Sequence, residues 1–209
     1  MMIQKIKKLH FLLAVGLFFI TNNYGQERTQ FPITISVFNI GSQFPGSGYL
    51  GVFTTPVHPG ISVGTEYTYN ANPKHQWFQT ANIGYFFHQY AQHGIQLYSE
   101  IGYRYWVKNG LYFGPQLGVG YLHSIPEAQV FKLNKEGKYE RKTNFGRPQF
   151  MADFELQIGY EFRKERPVAI FLSYQFFMQM PFVNEYVPIL PGAALHIGVS
   201  FCPFRTGLK

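Results

Sequence analysis

Charge, cysteine and long apolar runs are all scarce in this chain. Only 14% of its 209 residues are charged, against roughly 25% in a typical soluble domain, so a water-facing surface would be poorly covered. The single cysteine, Cys202, excludes an intramolecular disulfide. Past residue 25 nothing approaches 18 uninterrupted apolar residues, so no spanning helix is expected. What is abundant is greasy and aromatic: 46% hydrophobic residues, 22 Phe, 15 Tyr and 21 Gly. That content rules out a disordered chain. A chain poor in charge, rich in aromatics and without apolar helices fits a β-barrel in a membrane.

The first 25 residues read as a secretory signal. Lys5, Lys7, Lys8 and His10 give a basic start, Phe11 to Ile20 an apolar core, and Thr21 to Tyr24 a polar stretch ending at Gly25. Ten apolar residues are too few for a helix that needs about 20 to span. Cleavage after Gly25 would leave Gln26 as the new N-terminus, and no Cys stands there for lipid attachment. Removing 25 residues from 209 leaves 184, and losing three Lys takes the net charge from +7 to +4. A charge of +4 is no argument for nucleic acid.

Beyond the signal the pattern has period two. In 95–106, Ile95, Leu97, Ser99, Ile101, Tyr103 and Tyr105 alternate with Gln96, Tyr98, Glu100, Gly102, Arg104 and Trp106. In 150–163, Phe150, Ala152, Phe154, Leu156, Ile158, Tyr160 and Phe162 alternate with Met151, Asp153, Glu155, Gln157, Gly159, Glu161 and Arg163. A strand sends successive side chains to opposite faces, so each segment has one greasy and one polar face. The polar rows hold few Lys and many Gly, Gln and acids, unlike the Lys-guarded outer face of a soluble sheet. About 9–11 tilted residues cross a bilayer, and several segments are at least that long. Tyr67, Tyr69, Tyr103, Tyr105, Tyr121, Tyr160 and Phe162 cluster near segment ends, where interfacial girdles belong.

Nine segments qualify as strands: 32–40, 48–56, 61–70, 78–89, 94–106, 111–122, 149–163, 168–179 and 192–203. A bacterial single-chain barrel has an even number, so either one N-terminal segment is no barrel strand or a tenth was missed. Eight strands, antiparallel and up-and-down, are the expectation, with ten the alternative. Counting back from the C-terminus makes Lys108 to Gly110 and Lys164 to Pro167 short internal turns and 123–148 a long external loop. The same count puts the tight turn Pro56 to Gly60 outside, where long loops are the rule.

With this signal, these dyad-repeat strands and the terminal run LHIGVSF ending at Phe201, the chain resembles the small outer-membrane barrels of Gram-negative bacteria, in the OmpA/OmpX size class. The resemblance implies export by a Sec-type route, an outer-membrane location, and a late strand ending in an aromatic that the barrel-assembly machinery reads. Eight residues, Cys202 to Lys209, follow that aromatic. A more distant architectural similarity reaches the lipid A deacylases, which place a Ser–His–acid set near the outer rim. Their His-x-Ser pattern has no match here: the corresponding FLSYQFF carries Ser173 with no His two residues earlier. His196 and Ser200 share a row but lie about 13 Å apart at ~3.3 Å per residue. No catalytic residue is assigned.

The polar rows bring Glu66, Glu100, Arg104, Asp153, Glu155, Glu161, Arg163 and His196 toward one lumen. An eight-stranded barrel is just wide enough for side chains to fill, and unpaired buried charges are costly, so these acids and arginines are expected to pair and plug it. Neither a metal-ligand spacing nor a phosphate-binding glycine loop occurs, and no cofactor is expected. The loop 123–148 carries Lys132, Lys135, Lys138, Arg141, Lys142 and Arg147 against Glu127, Glu136 and Glu140, a net +3. Its VFKLNKEGKYERK reads as a hairpin with Glu136-Gly137 near the turn, and its basic residues suit anionic head groups such as those of lipopolysaccharide. The expected role is structural, in envelope integrity, or in surface interaction. The rivals are an outer-leaflet lipid-modifying hydrolase and a narrow channel for small solutes.

Overall fold

The structure, a computed structural model, describes residues 31–42, 44, 48–53, 55–89, 91–127, 130–133, 137–142, 145–162, 167–182 and 186–203. The signal segment and Gln26 lie outside the described residues. The strands are β1 (Ile33–Gly41), β2 (Pro59–Thr68), β3 (His75–His88), β4 (Gln92–Trp106), β5 (Leu111–Pro126), β6 (Val130–Leu133), β7 (Tyr139–Lys142), β8 (Arg147–Glu161), β9 (Val168–Met180) and β10 (Leu190–Phe201). Eight of them close an antiparallel up-and-down barrel, β10 returning to pair with β1 from Ile33↔Phe201 to Gly41↔Ala193. β6 and β7 pair with each other as a separate hairpin between β5 and β8.

The surplus segment is 48–56. It forms no strand but a short 3-10 turn, Gly48–Gly51, within the connection from β1 to β2. Leu50 and Gly51 both adopt the left-handed backbone, at φ 57° and 71°, which breaks an extended chain, and Pro56 has no N–H to offer a ladder. Removing this segment restores even parity and sorts the connections. The end that carries the start of β1 and the finish of β10, here the terminal end, has the turns 69–74, 107–110 and 162–167. The opposite loop end has 42–58, 89–91, 127–146 and 181–189. The turn at Pro56 is thus the tail of a long connection. The loop expected over 123–148 is shorter, because β5 runs on to Pro126 and β8 starts at Arg147.

The rows point as their chemistry requires. The greasy row of each strand faces outward: Val37, Leu97, Leu117 and Ile197 are each at least 60% exposed. In water each such side chain would forgo about 1.5–3 kcal/mol of burial; against hydrocarbon it forgoes nothing. The belt is bounded by rings of aromatics. At the terminal end Phe31–Tyr67, Tyr67–Tyr69, Trp77–Tyr103, Tyr105–Phe113 and Tyr160–Phe162 touch at centroid distances of 5.0–6.1 Å. Toward the loop end the ring is built of Tyr–His pairs: Tyr85 Oη lies 2.8 Å from His93 Nδ1, and Tyr121 Oη 2.7 Å from His123 Nδ1.

Inside, aromatics are set against glycines. Phe38, Phe78, Phe86, Tyr112, Phe171 and Phe177 each stand across a ladder from Gly60, Gly102, Gly94, Gly159, Gly198 and Gly192 respectively. Each ring lies 2.2–2.4 Å from where the glycine's Cβ would be, so only glycine admits it. In the half toward the loop end, Phe38, Ile40, Phe86, Tyr98, Leu122, Met151, Phe177 and Ala194 form one buried apolar cluster. It stops the bore with side chains from seven of the eight barrel strands, all but β2.

Candidate functional site

Below the apolar stopper lies a polar layer. β4, β5 and β8 align Glu100, Gly118 and Asp153 on one ladder line, and Gln116 pairs with Glu155 on the next inward step. A Cβ at Gly118 would sit 2.5 and 2.7 Å from the Asp153 oxygens and 2.6 Å from Glu100 Cγ. The two acids therefore close over a glycine. Glu100 Oε2 accepts from Thr80 Oγ1 and Asn82 Nδ2, both at 2.9 Å, and Gln116 Nε2 donates to Glu155 Oε1 at 3.0 Å. Glu100 Oε1 and both Asp153 oxygens have no hydrogen-bond partner among the described residues.

This corrects the expected pairing. Among the described lumen residues the ion pair is Glu66–Arg104. Arg104 Nη1 and Nη2 donate to Glu66 Oε1 and Oε2 at 2.8 and 2.6 Å, and its guanidinium lies 4.2 Å over Phe78 and 4.8 Å over Tyr112. Glu100, Asp153 and Glu155 are buried without an ion-pair partner among the described residues. The reason is register: Arg104 lies opposite Gln76, four residues closer to the terminal end than Glu100, and reaches across β3 to Glu66. Glu161 joins that lower level, lining a cavity of about 280 Å³ with Glu66, Arg104, Gln76 and Cys202. Burial, then the nearby Glu161 and Glu66 carboxylates, push the Cys202 thiol up, which disfavours its reactive thiolate. Arg163 lies outside the described residues.

His196 meets a partner the row pattern did not offer. Its Nδ1 lies 3.2 Å from Ser36 Oγ across the β1–β10 seam, 160 residues apart, and Phe38 stacks on its ring at 4.4 Å. Ser173 is its ladder partner on β9. Ser36, Ser173, His196, Glu100 and Glu155 all line a cavity of about 40 Å³, room for a few water molecules. A serine beside a histidine is the start of a hydrolytic dyad. This one is buried from outside, and a 40 Å³ chamber excludes an acyl substrate. His123 and Ser124 point to opposite faces, as adjacent strand residues must: His123 Nε2 contacts Phe145 O at 2.8 Å, while buried Ser124 donates to Gln92.

Of the basic loop residues, Arg147 belongs to β8 and lies 5.3 Å over the Phe182 ring. Lys138 stands exposed in the β6–β7 hairpin. Lys132, Arg141 and Lys142 fall on its strands, with side chains outside the described residues, as is Lys135 altogether. At the loop-end mouth, the His58 and His88 rings stack at 3.7 Å.

No family model matches the chain, and no curated protein matches it. Solved structures do. Neisserial surface protein A aligns with a TM-score of 0.51 at 12% identity, over 84% of this chain and 99% of that one. The outer membrane enzyme PagL aligns at 0.46 and 7% identity, covering 80% and 97%. Ail, the attachment invasion locus protein of Yersinia pestis, aligns at 0.43 and 11%, covering 83% and 96%. The first match shows a shared fold: that of the small eight-stranded outer-membrane barrels.

Proposed function

We propose that this chain is a non-conducting outer-membrane barrel of a Gram-negative envelope, exported by a Sec-type route, whose work is structural or lies at its outer surface. The observation that carries this reading is the apolar stopper. Phe38, Ile40, Phe86, Leu122, Met151 and Phe177 fill the loop-end half of the bore, so a solute path past Glu66 and Glu155 has no exit. The lipid-facing belt supports the membrane location, and the long connections at the loop end suit the outside. The basic hairpin, with Lys132, Lys135, Lys138, Arg141 and Lys142, then stands over the anionic lipopolysaccharide surface, and the barrel-assembly machinery is its partner during insertion. The hydrolase reading loses support because the Ser–His contact found among the described residues is sealed in the lumen. Planar-bilayer recording tests the reading. The purified barrel is expected to give no steady open steps, whereas the double variant Phe86→Ala, Phe177→Ala gives them. Open steps from the unaltered protein would sink it.

A further inference from the structure

The connection between β1 and β2 does not stand above the barrel. It folds back along the outward face. Gly51 O lies 1.8 Å from where a Cβ on Gly41 would be, so glycine is needed at the end of β1 for the chain to return this closely. Val52 is 0% exposed, and so is Ala193, although Ala193 belongs to the outward row of β10. The strap is fastened by side chains of that wall. Asn39 Nδ2 donates to Val52 O, Asn39 Oδ1 accepts from His58 N at 2.7 Å, and Tyr174 Oη donates to Leu50 O at 2.6 Å.

Tyr174 fixes how far down the wall the strap reaches. Leu172, the next residue of its outward row, is a lipid-facing residue of the belt, 43% exposed. Tyr174 lies six residues short of the loop end of β9 at Met180, about 20 Å along the strand and roughly 15 Å of height at a 40° tilt. Nearer the loop end than Tyr174 the wall stays apolar: Phe150, across from Met180 on β8, is 48% exposed. The strap therefore lies against the apolar belt, and its free side is apolar too: Leu50, Phe53 and Val57 are 54%, 57% and 66% exposed. Irregular backbone survives in hydrocarbon only where protein groups satisfy it. The polar Asn39 and Tyr174, set in an otherwise greasy wall, do that for Leu50 and Val52.

We propose that the 48–58 strap is a lipid-binding element that lies in the outer leaflet and inserts Leu50, Phe53 and Val57 among acyl chains. This rests on the outer-membrane reading above. The occupant is lipid because the strap's apolar side is continuous with the lipid-facing belt and its Tyr174 anchor stands on the belt's own outward row. It gives the barrel a flat, greasy spur at one side, which enlarges its footprint in the outer leaflet only.

Spin labels on Phe53→Cys and Val57→Cys, each in a Cys202→Ser background and refolded into phosphatidylcholine vesicles, test it. Leu172→Cys on the barrel wall and Tyr139→Cys in the hairpin serve as lipid and water references. Labels at 53 and 57 are expected to collide with oxygen as Leu172→Cys does, with nickel-complex collisions several-fold below those at 139. Adding Tyr174→Phe is expected to raise the nickel collisions at 57. Water-like values at 53 and 57 with a lipid-like value at 172 would overturn the strap proposal and leave the membrane reading standing. A water-like value at 172 as well would overturn that reading first. Labels at 53 and 57 immobilised and shielded from both oxygen and nickel would show a protein cover, such as a second copy, and overturn the lipid assignment.

Discussion

Glu66→Gln and Asp153→Asn remove one carboxylate charge each from the same lumen, and the structure predicts opposite outcomes. Glu66 holds both guanidinium nitrogens of Arg104 at 2.6 and 2.8 Å. Its neutralisation strands a cation between the Phe78 and Tyr112 rings. Breaking a buried pair costs 3–5 kcal/mol. The 280 Å³ cavity beside it admits some solvent, so about 3 kcal/mol is expected, a change of roughly a hundredfold in the folding equilibrium. Asp153 accepts from no donor among the described residues and faces Glu100 across Gly118. An amide of the same shape removes an unpaired charge and supplies a donor, so Asp153→Asn should leave stability unchanged or raise it by up to about 2 kcal/mol. Urea titration of the barrel in vesicles, following the folded band on an unboiled gel, gives both values. A neutral Glu66→Gln, or an Asp153→Asn that costs more than Glu66→Gln, would refute this assignment. Arg104→Leu added to Glu66→Gln should recover much of the loss, since it removes the stranded cation.

The aromatic–glycine pairs predict intolerance to a single methyl. Gly102→Ala meets the Phe78 ring at 2.2 Å and should cost about 1–3 kcal/mol by overpacking in the same titration, with Phe78→Leu relieving it. Truncating the stopper at Phe86 or Phe177 should cost about 3–5 kcal/mol each, alongside the conductance predicted for the pair. The strap should respond to acid. Burial, then the charge of neighbouring His88, hold His58 below its ordinary value of 6.5. The fold therefore favours neutral His58: its contribution is complete above pH 6.5 and declines as pH falls below it. A label at Val57→Cys should gain mobility between about pH 7 and pH 5, and His58→Asn should abolish that dependence; an unchanged spectrum across the range would refute it.

Much of the architecture is legible in the alternating rows. A period of two with large apolar residues on one row and Gly, Gln and acids on the other specifies an inverted sheet, and the structure turns those rows as the chemistry asks. The segment 48–56 misleads because Gly-Tyr-Leu-Gly-Val alternates like a strand, while the left-handed turn at Leu50-Gly51 is invisible to periodicity. Asn39, a polar residue on the greasy row of ITISVFNIG, is the one local sign that something returns to cover the wall. Placing the acids in the lumen needs only the row; pairing them needs inter-strand register, which a row does not carry. Hence Glu66 and Arg104 share a lumen in the sequence but become partners only when β2, β3 and β4 are aligned. The Ser36–His196 contact likewise depends on closing β1 against β10, and no spacing along the chain announces it.

Everything proposed above depends on a closed barrel set in the outer membrane with its greasy rows in lipid. Gel mobility of the outer-membrane fraction, unboiled against boiled, tests it most directly, because a closed barrel resists detergent until heated. The protein is expected in that fraction, with a shift in mobility on boiling. Recovery in the soluble periplasmic fraction, with no shift, would contradict it.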